Sequence, residues 1–371
     1  MTNTFTPIDH GRRVELLQAR LRGGIGNGCD ALLFTDLVDV RWLTGFTGSN
    51  GWAVLLPDEL VVGTDGRYGE RAAVETAGAG ATVHAETVRA ALHDRLVQSL
   101  APAVRVGLDP ASSSHAEWQR LAADLTLEPM ESLVKLQRTI KEAAEIERIA
   151  AAAACADAAL SEVEPLLFGT VDDPVPEADV RDELEYRMRR HGADDRSYET
   201  IVASGPDHAS RPHHDATRRT ILEGDTVIID VGALVDGYHS DMTRSYVVGE
   251  PTEQQREVYD LVEAAHAAGI EALAPGVSAR AVDSACRDLF SRAGYGDWYL
   301  HGTGHGVGLD IHEPPFHSQA SQEEIPQGCV VTVEPGLYRV GFGGFRVEDL
   351  LVVASDGARP LTHTPPRPFN T

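Results

Sequence analysis

Lysine is almost missing from this chain: of 32 basic residues only Lys135 and Lys141 are lysines, and the rest are arginine. That skew fits high-GC coding and salt adaptation equally well. Positive charge is short altogether, with 57 acidic residues and a formal charge of -25. So acidic a surface repels a phosphate backbone or an anionic bilayer, so neither nucleic acid nor a membrane is an expected partner. Long apolar runs are lacking too. No stretch approaches the roughly 18 uninterrupted apolar residues of a membrane span, and the start MTNTFTPIDHGRR has no apolar core of a signal peptide. A cytoplasmic protein is the expectation. Cys29, Cys155, Cys286 and Cys329 are isolated, with no CxxC spacing. Neither a thiolate zinc site nor a disulfide framework is indicated, and they read as reduced structural cysteines.

What is present is enough chain for two cores. At 371 residues the length prior gives about two domains. Before Leu133, strand-like runs such as WAVLL and LVVGT alternate with helical segments at Val14 to Arg22 and Ala116 to Leu125. After Lys141, Glu142 to Val163 is an Ala- and Glu-rich helical run, and further helices are predicted at about Glu177 to His191, Thr252 to Leu273 and Ser278 to Ala293. The boundary is therefore placed near Leu133 to Lys141, dividing the chain into residues 1–133 and 141–371 with an α/β (α+β) composition. No internal repeat is evident.

The C-terminal part carries the chemistry. Thr226 to Val235 (TVIIDVGALV) and Tyr238 to Val248 (YHSDMTRSYVV) flank Asp236-Gly237, a dipeptide that favours a two-residue hairpin turn. That turn sets Asp230 opposite Thr243 and Gly232 opposite Asp241. The two aspartates become diagonal neighbours roughly 7 Å apart at their backbones, within reach of adjacent metals. Taken alone, the pair is as readily an ordinary hairpin surface.

His301 to Glu313 (HGTGHGVGLDIHE) alters that balance. Glycines at 302, 304, 306 and 308 make a poor helix, so helical zinc-motif spacing does not apply. A phosphate loop fails as well, because the last glycine of GxGxxG falls on Val307 or Leu309. The segment reads as irregular backbone closely approaching a ligand. Further on, CVVTVEPGLY and FRVEDLLVV are strand-like, with Pro335 pushing Glu334 toward an extended conformation and Arg346, Glu348 and Leu350 on one face. By itself that last alternation is matched by a surface ion pair, worth little. Together, Asp230, Asp241, His305, Glu334 and Glu348 offer four carboxylates and one imidazole. Crowded and unpaired, such acids raise one another's pKa; two divalent ions would cancel their charge.

In this order SGPDHASRPHH (Ser204 to His214), IIDVGALVDGYHSDMTR, HGTGHGVGLDIHE, TVEPGLY (Thr332 to Tyr338) and RVED (Arg346 to Asp349) resemble the metallopeptidases of the pita-bread fold, specifically the Xaa-Pro branch of aminopeptidase P and prolidase. WLTGFTGSNG (Trp42 to Gly51) and TDGRY (Thr64 to Tyr68) resemble the creatinase-type N-terminal domain that accompanies it. The resemblance implies that Asp230, Asp241, His305, Glu334 and Glu348 bind two divalent metal ions, with Asp241 and Glu348 bridging. It implies catalytic or substrate-side roles for His213, His301, His312, Glu334 and Arg346. Mostly oxygen ligands with one imidazole fit manganese well, cobalt or zinc less distinctively. Water held between such ions is acidified to a hydroxide nucleophile while one ion polarises the scissile carbonyl. Glu334 is the candidate proton shuttle, His312 with His213 the candidate stabilisers of the tetrahedral intermediate, and His301 and Arg346 orienting groups.

The implied activity is an Xaa-Pro aminopeptidase acting as a homodimer on peptides with proline second. The alternative is an Xaa-Pro dipeptidase, and some dipeptidase-type relatives carry a basic residue shortly after the HE pair, where this chain reads Pro314-Pro315-Phe316. Arg67 or a second subunit is another possible source of such a cation. Val307, Phe316 and Tyr338 are candidate walls of a proline pocket. A C–N hydrolase of small molecules and a non-catalytic pita-bread binding protein are the remoter readings.

Overall fold

The computed structural model describes residues 5–24, 28–101, 103, 105–169 and 173–369. They form two compact units, Pro7–Arg138 and Thr139–Thr371, the latter joined by the residues up to Thr6. Arg148 shows how: its guanidinium donates to Thr6 O (3.0 Å) and lies over the Phe5 ring.

In the N-terminal unit the six-stranded sheet has the order Thr82–Glu86, Leu60–Asp65, Gly51–Leu55, Ala31–Phe34, Val106–Leu108, Leu127–Pro129. Only Gly51–Leu55 runs antiparallel to its neighbours. A parallel sheet must bury both faces, and the runs ALLF and VVG accordingly lie inside. Leu92, Leu96, Leu100 and Leu121 cover one face with Leu33, Trp52, Val54 and Val61. The expected helices are present as His10–Arg22 and His115–Ala122.

The C-terminal unit pairs helices with broken strands. Helices Ala143–Gly169 and Glu177–Arg190 share one core with the strands around Val227, Ile229 and Tyr246. Helices Glu253–Ala272 and Ala279–Arg292 pack beside Leu337, Phe345, Val331 and Val353. Their starts lie where the sequence signals them, with the Thr252 and Ser278 hydroxyls accepting from Gln255 N and Ala281 N (3.2 Å each).

The hairpin forms with the expected register, Thr243 opposite Asp230, and turns at Asp236 (φ 45°) and Gly237 (φ 75°). Two consecutive residues with positive φ are what this turn requires. However, the hairpin is not one ribbon. Its base, Thr226–Asp230 with Thr243–Val247, belongs to a sheet with Ile201–Ser204, while its tip, Ala233–Val235 with Tyr238–His239, pairs with Asp195–Arg196. The bend passes through Gly232, where a β-carbon would stand 2.0 Å from Ser240 O.

The second strand pair breaks in the same way. Val330–Val333 and Asp349–Ala354 lie in a five-stranded sheet, while Gly336–Arg339 and Gly343–Arg346 form a separate ribbon. This corrects the expectation that Arg346, Glu348 and Leu350 alternate on one face: the strand ends at Arg346 and a new one starts at Asp349. Both breaks fall at acidic residues, Asp230 and Asp241 in one pair and Glu334 and Glu348 in the other.

Candidate metal centre

The breaks bring those acids together around a histidine. Oxygen or nitrogen atoms of Asp241, His305 and Glu348 lie within 4.8 Å of one another, and all three residues are buried. His305 Nε2 stands 3.5 Å from both Asp241 Oδ2 and Glu334 Oε1. Its other nitrogen, Nδ1, lies 3.0 Å from Gly306 O, which assigns the ring proton to Nδ1. The bare Nε2 lone pair thus faces two carboxylates, an arrangement that calls for a cation between them.

Asp230 joins through its neighbours. Tyr198 presents its hydroxyl to Asp230 Oδ1 and Asp241 Oδ1 at once, and Arg346 Nη2 donates to Asp230 Oδ2 (2.6 Å). Thr243 Oγ1 donates to Glu348 Oε2 (2.6 Å) and accepts from Arg346 Nε (2.9 Å), while Glu348 Oε1 is buried without a partner. Arg346 is therefore tied to Asp230 and not, as the alternation implied, to Glu348. Its remaining donors reach Pro212 O and Tyr338 Oη (2.8 Å each), and Tyr338 donates onward to His301 Nε2 (2.9 Å).

Electrostatics point the same way. Burial, then repulsion by Asp230 and Glu334, raises the Asp241 carboxyl well above its usual range. Glu348 is likewise raised well above its usual value, by burial and then by Asp241 and Glu334, and burial lifts Glu334. Burial lowers His301, His305 and His312, keeping the imidazoles neutral. Neutral imidazole and several acids short of counter-charge fit divalent cations: Asp230, Asp241, His305, Glu334 and Glu348 would hold them.

His312 packs edge-on against His305, ring centroids 4.4 Å apart. By contrast, His213 is an exposed ring 3.6 Å from Asp215. The adjoining Pro212 carbonyl touches Arg346, so the backbone beside His213, and not its ring, is linked to the acids. Among the proposed pocket walls Val307 and Tyr338 are buried and Phe316 is exposed. Arg67 is engaged by Asp65 through two donors at 2.9 Å.

Two of the glycines in His301–Glu313 serve strand packing. Gly304–Gly306 is a strand between Glu313–His317 and Val330–Val333, and β-carbons at 304 and 306 would lie 2.1 Å from Thr332 O and 2.3 Å from Pro314 O. At these two positions they admit neighbouring backbone. Tyr198 had no signal in the sequence, since neither periodicity nor motif spacing marks a hydroxyl that becomes a neighbour by folding; the hairpin register placed Thr243 opposite Asp230 but not its contacts with Glu348 and Arg346. Tyr198→Phe is expected to destabilise the metal-free protein by about 1–3 kcal/mol, the scale of a hydrogen bond to a charged group, as read from urea unfolding.

Four carboxylates and one imidazole, three of the five buried, meet at the junction of two strand pairs with the donor chemistry of a metal-dependent hydrolase. Comparison with known proteins places it. Residues 140–355 match the model of metallopeptidase family M24, and residues 13–142 match the creatinase/prolidase N-terminal domain. The peptidase YqhT of Bacillus subtilis is 38% identical over 356 residues, 93% of this chain and 97% of that one. The Xaa-Pro dipeptidase of Bacillus anthracis superposes with a TM-score of 0.90 at 31% identity, covering 97% of this chain and 99% of that one. For the X-Pro aminopeptidase of Thermotoga maritima the values are 0.85 and 29%, with 96% and 99% coverage. The chain belongs to metallopeptidase family M24, with a creatinase-type N-terminal domain before the pita-bread catalytic domain.

Proposed function

We propose that this metallopeptidase removes the N-terminal residue from peptides with proline in second position. The observation that carries the reading is the buried meeting of Asp241, His305 and Glu348, with Asp230 and Glu334 adjoining, in a chain whose structural neighbours are Xaa-Pro peptidases. Two divalent ions, manganese by ligand type, supply Lewis-acid polarisation of the scissile carbonyl and acidify a water when bound.

The protein's own groups do the rest. Asp230, Asp241, His305, Glu334 and Glu348 would hold the ions, Asp241 and Glu348 as ligands common to both. Glu334 carries a proton from water toward the leaving nitrogen, and burial, which raises its carboxyl above the usual range, favours the protonated form that this step passes through. His312, neutral and edge-on to His305, donates to the carbonyl oxygen as charge develops, and His213, whose adjoining backbone meets Arg346, is assigned the same role. Arg346, fixed by Asp230, Thr243 and Tyr338, and His301, hydrogen-bonded to Tyr338, orient the site.

Cleavage before proline splits a tertiary amide, so no scissile N–H is available for recognition. Selectivity must come from a pocket for the ring, with Tyr338, Phe316 and Val307 as its candidate walls. The aminopeptidase preference rests on Phe316, an uncharged exposed side chain where a carboxylate clamp would otherwise follow the HE pair. Dipeptidase action is the second reading, favoured by the Bacillus anthracis neighbour. A dimer and a cytoplasmic setting belong to the same proposal; among the described residues no helix is long and apolar enough to cross a membrane.

Initial rates on Xaa-Pro, Xaa-Pro-Yaa and N-acetyl-Xaa-Pro-Yaa, at equal concentration with added manganese, test it. The free tripeptide is expected to be cleaved fastest and the acetylated one hardly at all, because an acidic rim pairs with an ammonium group. Preference for the dipeptide would make the enzyme a prolidase. Equal cleavage of the acetylated peptide would remove it from the exopeptidases.

A further inference from the structure

Arginine is the basic residue almost everywhere in this chain, and its two lysines both meet carboxylates. Lys135 lies 3.0 Å from buried Asp109 in the N-terminal unit. Lys141 forms an ion pair with Glu313, their side chains 1% and 6% exposed. Glu313 directly follows His312 in the segment that runs from His305.

The surroundings show what this second pair holds. Glu313 stands opposite Gly306 across the strand pair, so it closes the turn that carries His312 back against His305. Its carboxylate packs on the turn itself: a β-carbon on Gly308 would lie 2.6 Å from Glu313 Oε1. Gly308 O in turn accepts from His239 N (2.9 Å). From the far side, Lys141 is anchored by its backbone N–H to Gly328 O (2.9 Å), and its Nζ also donates to Thr139 O (3.2 Å). A compact ammonium fits between these two acceptors; a planar guanidinium fork needs more room and a different set of directions.

We infer that Lys141 and Glu313 are a positioning pair that locks the His305–His312 turn, and that arginine at position 141 cannot fill this role. The pair lies outside the proposed ligand set and acts through His312. The activity arm of the test rests on the Xaa-Pro peptidase reading; the structural arm does not.

Breaking one partner leaves an uncompensated buried charge and risks unfolding, so the neutral double variant Lys141→Met/Glu313→Gln is the main probe. It is expected to fold, to keep close to two equivalents of manganese, and to lose at least tenfold in kcat on an Xaa-Pro-Yaa peptide with KM within about threefold. Lys141→Arg is expected to show the same pattern of loss despite its preserved charge. Crystal structures of wild type and double variant should show the His305–His312 separation of 4.4 Å kept in the first and lost in the second. A double variant with wild-type ring separation, with kcat within twofold of wild type, or whose loss of rate follows its loss of metal would overturn the inference, as would full activity of Lys141→Arg. If the wild type cleaves none of the peptides, the functional reading fails alone and the ring separation decides this one.

Discussion

Glu348→Ala and Asp241→Ala are each expected to empty the centre, dropping bound manganese from close to two equivalents toward zero and activity with it. Both side chains lie in the buried group around His305, and both are assigned as shared ligands. Removing either takes a negative charge from each ion's environment and leaves the remaining acids unable to hold two dications. His312→Ala should behave differently. That ring packs on His305 without belonging to the ligand set, so the metal should stay while kcat falls by roughly 10²-fold or more, the scale of losing one group that stabilises developing charge. Elemental analysis of the gel-filtered variants, beside their kinetics, separates the two classes. A His312→Ala protein that arrives empty would show the role assignment to be wrong.

The second large effect is on stability. Saturating manganese is expected to raise Tm by on the order of 10 °C at neutral pH, since ligand at a hundredfold excess over Kd stabilises by about 2.7 kcal/mol per site and there are two. The gain should grow as pH rises. Asp241, Glu348 and Glu334 have folded-state pKa values above those of the unfolded chain, chiefly through burial. Their contribution to the metal-free fold is fully present below about pH 4, where they are protonated in both states, and is lost as pH rises through the raised folded values. Cations cancel that penalty and compete with the protons, so the difference between loaded and metal-free melting curves widens from pH 5 to pH 8. Glu348→Gln should flatten the metal-free curve. A metal-induced shift that shrinks over this range would contradict the assignment of these acids to the centre.

Much of this site was open to reading along the chain because it rests on local rules. Asp236-Gly237 sets the hairpin register, and register alone determines that Asp230 faces Thr243. Thr252 and Ser278 begin helices because their hydroxyls cap free backbone N–H groups, an interaction spanning three residues. The four acids and His305 were recognisable as a set from their residue types and order, and the α/β composition followed from the alternation of strand-like and helical runs.

What escaped sequence reading depends on groups brought close only by folding. Period-two alternation put Arg346 beside Glu348, but the strand breaks between them and the guanidinium turns to Asp230, 116 residues away. The glycines at 304 and 306 looked like room for a ligand and serve the packing of adjacent strands. Tyr198, between Asp230 and Asp241, could not be anticipated from its surroundings in the chain. The sequence by itself determined which donors are available and which segments are helix, turn or strand, because those follow from side-chain chemistry and short-range backbone preference. Tertiary structure alone decided where the strands bend, which cation neutralises which acid, and that Lys141 meets Glu313. Such pairings join residues a hundred or more positions apart, and only burial and charge balance in the folded core select them.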